Sequence, residues 1–371
     1  MSKTMRAVVK PASAPGAELR EVPRPEPGPG EVLVRVETAS ICGTDLHIFG
    51  WDRWAQSRIR PPLVFGHEFC GRIERLGAGV TGLNEGDFVS AEMHIPCGRC
   101  FQCRTGEAHI CPDVRILGVD GPGCFAEYVV IPAANIWQIA DGIAPECAAI
   151  LDPLGNAVHT VMAGAVSGRS VAIVGCGPIG LMAVAICRAS GASPIFAIEP
   201  HPERRRLAQA LGADAGFDAG QEAAEAEILA RTPGRGVDVG LEFSGNPDGI
   251  RSLLRLTRRG GRVRLLGIPG RPLELDLARD VIFKGLTLQG INGRRMFETW
   301  YEMELLLLSG RLHLEPLFTD RLPMEQFELG LERLRQGVAA KVLLYPNAAA
   351  AAVAPSRPGA AAQPAIHSRR P

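Results

Sequence analysis

Apolar and polar positions change rhythm once along this chain, and the change divides it in two. Over residues 5–40, the short runs MRAVVK, AELREV and EVLVRVETAS are separated by the Pro/Gly-rich PRPEPGPG. Val32, Val34 and Val36 recur at every second position, which predicts a half-buried strand with those side chains on one face. RIERLG, GDFVSAE and FAEYVVIP continue the β-like pattern under close glycine and proline punctuation, so a β-rich, barrel-like domain is expected up to about Ile139. From Ala144 the pattern alternates. The helix-like PECAAILDPLGNAVHTVMAG is followed by SVAIVG and PIGLMAVAICRASG, by PIFAIE and PERRRLAQALG, and then by VDVGLEFSG, RRGGRVRLLGIPG and LTLQGING. Strand and helix in strict alternation predict a doubly wound parallel sheet, and with it an α/β fold class. FETWYEMELLLLSGRL reads as an amphipathic helix beyond that sheet and KVLLYP as a last strand. No internal repeat is present. From Asn347 the chain becomes AAAAAVAPSRPGAAAQPAIHSRRP, whose low complexity and scattered prolines predict a disordered tail over 347–371.

Composition narrows the picture further. At 371 residues the chain exceeds the span of one hydrophobic core, so two domains are expected. Lys+Arg and Asp+Glu both number 40, which leaves no field to draw the protein to nucleic acid or an anionic membrane, and neither is expected as a partner. Ser170 to Cys187 carries no charge and is long enough to span a bilayer. Three glycines and a proline break it into a strand, a turn and a helix start, so it reads as soluble core. The N-terminus has no apolar segment of the secretory kind. The ten cysteines do not form a secreted disulfide framework, which favours reduced thiols, metal binding and a cytoplasmic location.

Four of those cysteines, Cys97, Cys100, Cys103 and Cys111, follow the pattern C-x2-C-x2-C-x7-C. Two-residue gaps let sulfurs converge on one ion, and a closed four-thiolate site holds zinc for structure rather than catalysis. The bland alternative is a loop of free or disulfide-paired cysteines. Far away, Cys42 and the pair His67-Glu68 form a smaller, harder ligand set that would leave a coordination position open. Each of these residues could equally be a packing residue, since cysteine is commonly buried. Thr44 and His47 lie beside Cys42 in C-G-T-D-L-H, where a hydroxyl and an imidazole next to a metal thiolate could pass a proton.

The motif G-C-G-P-I-G, Gly175 to Gly180, follows the strand SVAIV and opens an apolar helix, the context a dinucleotide fingerprint demands. Gly175 would permit the tight turn, Gly177 the approach of a pyrophosphate and Gly180 close helix–strand packing. Glu199, at the end of the next strand, stands where an acid binds ribose hydroxyls and repels a 2′-phosphate, which favours NAD over NADP. Arg204, Arg205 and Arg206 oppose that preference, although at least two read as a solvated helix face. Asp152, in D-P-L-G-N-A-V-H, is either a helix N-cap or a carboxylate at the seam of the two halves. Trp51 and Trp54, in W-D-R-W-A-Q, place an aromatic pair in a loop after Cys42, there to pack or to shape a pocket.

Taken together, C-G-T-D-L-H, G-H-E, the four-cysteine lobe and G-C-G-P-I-G resemble the zinc-containing medium-chain dehydrogenase/reductase family over about residues 5–346. The resemblance implies a GroES-like catalytic domain over 1–152, completed by 295–346, and a Rossmann domain over 153–294. It also implies two zinc ions per chain, NAD as cofactor and a homotetramer. It makes Cys42, His67 and Glu68 ligands of a catalytic zinc and Thr44 and His47 a proton relay, and it puts His94 in the substrate pocket. Ile179, Glu199, Arg204, Leu266, Gly267, Ile268, Ile291 and Asn292 fall at positions that line NAD. Two residues depart from the pattern. Asp152 stands where some relatives have the longer Glu, which assigns it to proton handling or to supporting the metal's ligands. Asn292 replaces a frequent aromatic. Within the family, W-D-R-W-A-Q, D-P-L-G-N-A-V-H-T and G-R-R-M-F-E-T-W-Y resemble members that oxidise the side-chain hydroxyl of L-threonine to L-2-amino-3-oxobutanoate. A polyol or other secondary alcohol is the alternative substrate. A nucleotide-sensing or structural protein would have had no need to keep Cys42, Thr44, His47, His67 and Glu68.

Overall fold

The strand Glu31–Ser40 organises the first half of the chain. In the computed structural model, which describes residues 3–219 and 222–347, it is the centre of a seven-stranded sheet. On one side lie Glu68–Leu76, Phe88–Ala91 and Ile136–Gln138; on the other lie Lys341–Tyr345 and Phe318–Pro323. Tyr128–Pro132 pairs with its first residues and Lys341–Tyr345 with its last. Val32, Val34 and Val36 are buried together as expected, but Leu33 on the opposite face is equally buried. The strand is therefore enclosed on both sides there, and the half-buried reading is corrected. A small sheet of Glu18–Pro23, Thr4–Lys10 and Leu63–Val64 closes one side of this β-rich unit.

Two helices follow the central strand, Gly43–Gly50 and Arg53–Arg58. The second replaces the loop expected for W-D-R-W-A-Q. Asp52 starts it by accepting a hydrogen bond from the Ala55 backbone at 3.0 Å, a capping signal that sequence reading passed over.

The second half is a six-stranded parallel sheet in the order Ala215–Phe217, Ile195–Ile198, Val171–Val174, Val237–Glu242, Thr257–Leu265, Thr287–Gly290. Numbered along the chain this is 3-2-1-4-5-6, the Rossmann order. Its first strands read as uninterrupted apolar runs because both faces are covered by helices. The uncharged stretch 170–187 resolves into the strand Val171–Val174, a turn and the helix Pro178–Ala189. Among the described residues, no helix is long and apolar enough to cross a membrane.

The chain then returns through the helix Glu298–Leu308, which buries Trp300 and Met303. Tyr301 and Leu305 on its outer face stay exposed, so apolar residues stand on both faces and the amphipathic pattern is imperfect. Phe318–Pro323 and Lys341–Tyr345 complete the first sheet. The expectation of a disordered tail lies outside the described residues except at Asn347, whose amide donates to the Val36 carbonyl at 3.0 Å.

Candidate active site

Strand register brings the first ligand set together. Ser40 pairs with Glu68, so the residues just past one strand end, Cys42, meet those entering the other, His67 and Glu68. Cys42 caps the helix Gly43–Gly50, and its backbone N–H donates to Asp45 Oδ2 at 2.8 Å. The Cys42 sulfur, an imidazole nitrogen of His67 and a carboxylate oxygen of Glu68 lie within 4.8 Å of one another. His67 Nδ1 and Glu68 Oε1 are buried there without a hydrogen-bond partner. An unpaired carboxylate oxygen converging with a thiol and an imidazole nitrogen is what a cation satisfies, and the mixture of S, N and O suits zinc.

Charged groups surround this point. Lys341 Nζ pairs with Glu68 Oε2 and donates to the Ile41 carbonyl, which leaves only Oε1 of Glu68 uncommitted. Asp45 Oδ1 stands 3.8 Å from His67 Nδ1. Burial drives the Asp45 carboxyl up to about 6, against the pull of His67 and the Cys42 N–H. Burial opposes charge on His67 too, yet Asp45 and Cys42 outweigh it and raise the imidazole to about 10. A metal ion binding this ring must therefore displace a proton. Thr44 and His47, three residues apart, share a helix face. The Thr44 hydroxyl lies 3.9 Å from the Cys42 sulfur, while His47 is exposed and its Nδ1 lies 2.5 Å from Asp52 Oδ2. Among the described residues, no hydrogen bond joins Thr44 to His47.

A second charged network adjoins the first. Arg294, fully enclosed, pairs with Glu92 Oε1 and with Asp152 Oδ1. The Asp152 contact is a charge pairing outside hydrogen-bond geometry, since the same oxygen has no hydrogen-bond partner. Glu92 also accepts the Trp300 indole N–H at 3.0 Å and the His94 backbone N–H at 2.9 Å. His94 is half-buried, with Nδ1 2.9 Å from Glu92 and 3.3 Å from Arg294. Asp152 does not cap its helix, Leu151–Met162, because the helix begins one residue earlier. Nor does it join Cys42, His67 and Glu68 in their cluster. Burial opposes ionisation of Glu92, but Arg294 and His94 prevail and hold its carboxyl at about 2, below its ordinary 4.5. Its depressed value means that its stabilising contribution is complete above that ordinary value and is lost as pH falls toward 2.

The cysteine lobe leaves the sheet between the short paired strands His94–Ile95 and Arg115–Ile116. All four sulfurs lie within 4.8 Å of one another; Cys100 is 3.4 Å from Cys103 and 3.8 Å from Cys111. A tetrahedral zinc with bonds of about 2.3 Å needs sulfurs about 3.8 Å apart, so the cage has the right size. All ten cysteines are free thiols.

The nucleotide cleft lies at the carboxyl ends of the parallel strands. Gly175 takes φ +86°, and an added Cβ would meet Ser244 N at 2.7 Å, whereas a Cβ on Gly177 would enter open space. Gly180 has no room for a Cβ beside the Gly175 carbonyl. Ile179, half-buried, stands between them in the first turn of the helix. Glu199 is buried, and its carboxylate accepts the Cys176 N–H at 2.8 Å and the His201 N–H at 3.1 Å, which ties it to the glycine turn. Arg204 approaches it to 4.0 Å. Arg205 turns instead to the Glu199 and Pro200 carbonyls, and Arg206 pairs with Glu203 in solvent. Leu266, Gly267 and Ile268 follow the fifth strand, with Ile268 91% exposed on the rim. Ile291 is buried and Asn292 exposed just past the sixth.

Two family descriptions match the chain, "Alcohol dehydrogenase GroES-like domain" over residues 28–141 and "Zinc-binding dehydrogenase" over 178–309. The L-threonine 3-dehydrogenase of Bacillus licheniformis is 49% identical over 346 residues, 93% of this chain and 100% of that one. The chain belongs to the zinc-containing medium-chain dehydrogenase/reductase family. Solved members superpose closely. A zinc-binding dehydrogenase from Sinorhizobium meliloti bound to NADP gives a TM-score of 0.85 at 30% identity, covering 93% of this chain and 100% of that one. An alcohol dehydrogenase from Thermus sp. ATN1 gives 0.82 at 33%, covering 92% and 99%.

Within this family fold, sequence reading missed Asp45, Glu92, Arg294, Trp300 and Lys341. Asp45 could have been found, since it sits three residues after Cys42 where a capping carboxylate belongs. Lys341 opens an otherwise apolar strand, a weak signal of a buried cation. Glu92 carries no local mark; Arg294 and Trp300 lie in the G-R-R-M-F-E-T-W-Y motif, but nothing there points to a partner 202 positions away. For the lobe, Cys100→Ser should remove one zinc per chain and impair folding or assembly, because structural zinc contributes folding free energy outright. Soluble yield and elemental analysis check this; a well-folded variant holding its full metal content would refute it.

Proposed function

We propose that this protein oxidises L-threonine at C3 with NAD, giving L-2-amino-3-oxobutanoate and NADH. The carrying observation is the meeting of Cys42, His67 and Glu68 beside Thr44, in a chain that matches an L-threonine 3-dehydrogenase over 93% of its own length and all of the relative's. Cys42, His67 and Glu68 would hold a catalytic zinc, which supplies Lewis acidity to the substrate hydroxyl; the four-cysteine lobe would hold a second, structural one. The glycine turn and Glu199 would hold NAD, which would supply the acceptor for the C3 hydride.

The chain's own groups handle the proton. Thr44 Oγ1, beside the Cys42 sulfur, receives it from the substrate hydroxyl. As Thr44 accepts that proton it would release its own hydroxyl hydrogen toward His47, on the same helix face but not hydrogen-bonded to it here, and His47 would pass a proton to solvent. Asp52 is held below the ordinary carboxylate range, chiefly by the Ala55 N–H and also by His47, so it accepts from His47 Nδ1 and leaves Nε2 as the exchanging nitrogen. His94 faces the same pocket from the Glu92–Arg294 side. His47→Asn should lower kcat by about 10²–10⁴-fold with zinc content unchanged. A kcat within twofold of the parent would remove His47 from the relay.

NAD is favoured over NADP because the buried Glu199 would confront a 2′-phosphate, although the S. meliloti neighbour bound NADP. Glu199→Ala should narrow the gap in kcat/KM between the two cofactors; equal values in the unsubstituted enzyme would show that Arg204 governs instead. A homotetramer is the assembly we assign, and the sheet edge supports the association of at least two copies. Thr287–Gly290 is exposed at every position, Leu288 included, and Leu277, Ile282 and Phe283 just before it in the chain are exposed too, an open strand that a second copy can pair and cover. Ten unpaired thiols suit the reducing cytoplasm, the compartment we assign. NADH formation with L-threonine against sorbitol tests the substrate; turnover of sorbitol alone would overturn the reading.

A further inference from the structure

We propose that Arg294 is a positioning residue that holds the Asp152 carboxylate beside the catalytic metal rather than on it, keeping one coordination position free for the substrate oxygen. The inference rests on the reading of Cys42, His67 and Glu68 as the metal centre.

Besides Asp45, which faces His67, two buried carboxylates adjoin that centre, Glu68 and Asp152, and each is paired with a buried cation from the C-terminal part of the chain. The outcomes differ. Lys341 takes Glu68 Oε2 and leaves Oε1 unpaired within the ligand cluster. Arg294 takes Asp152 Oδ1 itself, and Asp152 stays out of the cluster. Arg294 does not depend on the Asp152 side chain for its own position, since its Nη1 also donates to the Asp152 backbone carbonyl at 3.4 Å. Glu92 binds its other nitrogen, and Glu92 is fixed in turn by the Trp300 indole and the His94 N–H. The helix carrying Asp152 makes room for it: a Cβ added at Gly155 would meet Arg294 Cδ at 2.6 Å and Cβ at 3.2 Å. The D-P-L-G segment thus supplies both the carboxylate that Arg294 holds and the space in which its side chain lies.

Charge balance gives the arrangement its purpose. A Cys42 thiolate and the Glu68 carboxylate already neutralise a divalent ion. A third anionic ligand would leave the centre negative, weaken its pull on a hydroxyl oxygen and fill the position that oxygen needs. The buried guanidinium offers Asp152 a competing partner.

The test replaces the chelator-labile ion with cobalt(II) and reads the visible spectrum, its response to added imidazole, and zinc affinity by chelator competition. None of these needs threonine turnover, so they stand or fall apart from the substrate assignment, which the threonine assay decides. The parent enzyme should change its spectrum as imidazole takes the open position. Arg294→Met should show altered cobalt bands, lose the imidazole response and bind zinc about 10–100-fold more tightly, the scale of changes around a metal's ligands. Adding Asp152→Ala should restore the response. Gly155→Ala, which keeps every charge but crowds Arg294, should shift the spectrum in the same direction, and it decides the matter alone if Arg294→Met does not fold. Parental spectra, imidazole response and zinc affinity in Arg294→Met, or in Gly155→Ala where only that variant folds, would overturn the proposal.

Discussion

Treatment with a chelator should abolish NADH formation, remove one zinc per chain and leave the secondary structure intact. The two ligand sets predict unequal lability. The cysteine lobe offers four converging thiolates and no position for an incoming ligand, whereas the Cys42, His67 and Glu68 set has three ligands and a place where a chelator can begin. The fold should survive because the charges left behind are already compensated. Glu68 keeps Lys341, and His67, raised to about 10, takes up a proton in place of the ion and faces Asp45. Metal analysis and circular dichroism on the same sample check this. Loss of both ions together, or unfolding in step with loss of activity, would refute it.

Lys341→Met should cost the zinc-free protein about 3–5 kcal/mol, since removing one partner of a buried ion pair strands the other. Both side chains are almost wholly enclosed, at 1% and 0% exposure, so water cannot replace the lysine. In the zinc-loaded enzyme the loss should be smaller, because the metal shares the Glu68 charge. The comparison is therefore internal: thermal midpoints of parent and variant, each with and without zinc. An equal drop in the two forms would mean that Glu68 and the metal do not interact, and Glu68 would leave the proposed ligand set.

The sequence made some parts of this molecule legible and others opaque for physical reasons. The glycine turn could be read because its constraints are local: Gly175 needs a positive φ and Gly180 a missing Cβ, and both lie within one strand–turn–helix unit. The cysteine lobe was legible for the same reason. The pairing of Cys42 with His67 and Glu68 depended on strand register; residue chemistry offered it only as one of two equal readings, and the resemblance to a family favoured it. Charged residues are ordinarily read as surface, so Glu92, Arg294 and Lys341 gave little sign of their burial. Each is kept inside by a partner more than 200 positions away, which no window along the chain can reveal. The helix Arg53–Arg58 is too short for a helical period to show, and its one local mark is the capping Asp52 between Trp51 and Trp54.

Lys341 has a consequence for biosynthesis. The residue that compensates Glu68 lies on the final strand of the sheet, 273 positions further along the chain. While the ribosome is still extending the polypeptide, Cys42, His67 and Glu68 have emerged but the lysine and the strand that encloses them have not. The cysteine lobe, contained within residues 97–111, can close on its ion early. On the proposed reading a catalytic ion would find a finished pocket only after nearly the whole chain is released, so the two metals would be acquired in sequence, and a polypeptide cut short before Lys341 would carry the first without a proper seat for the second.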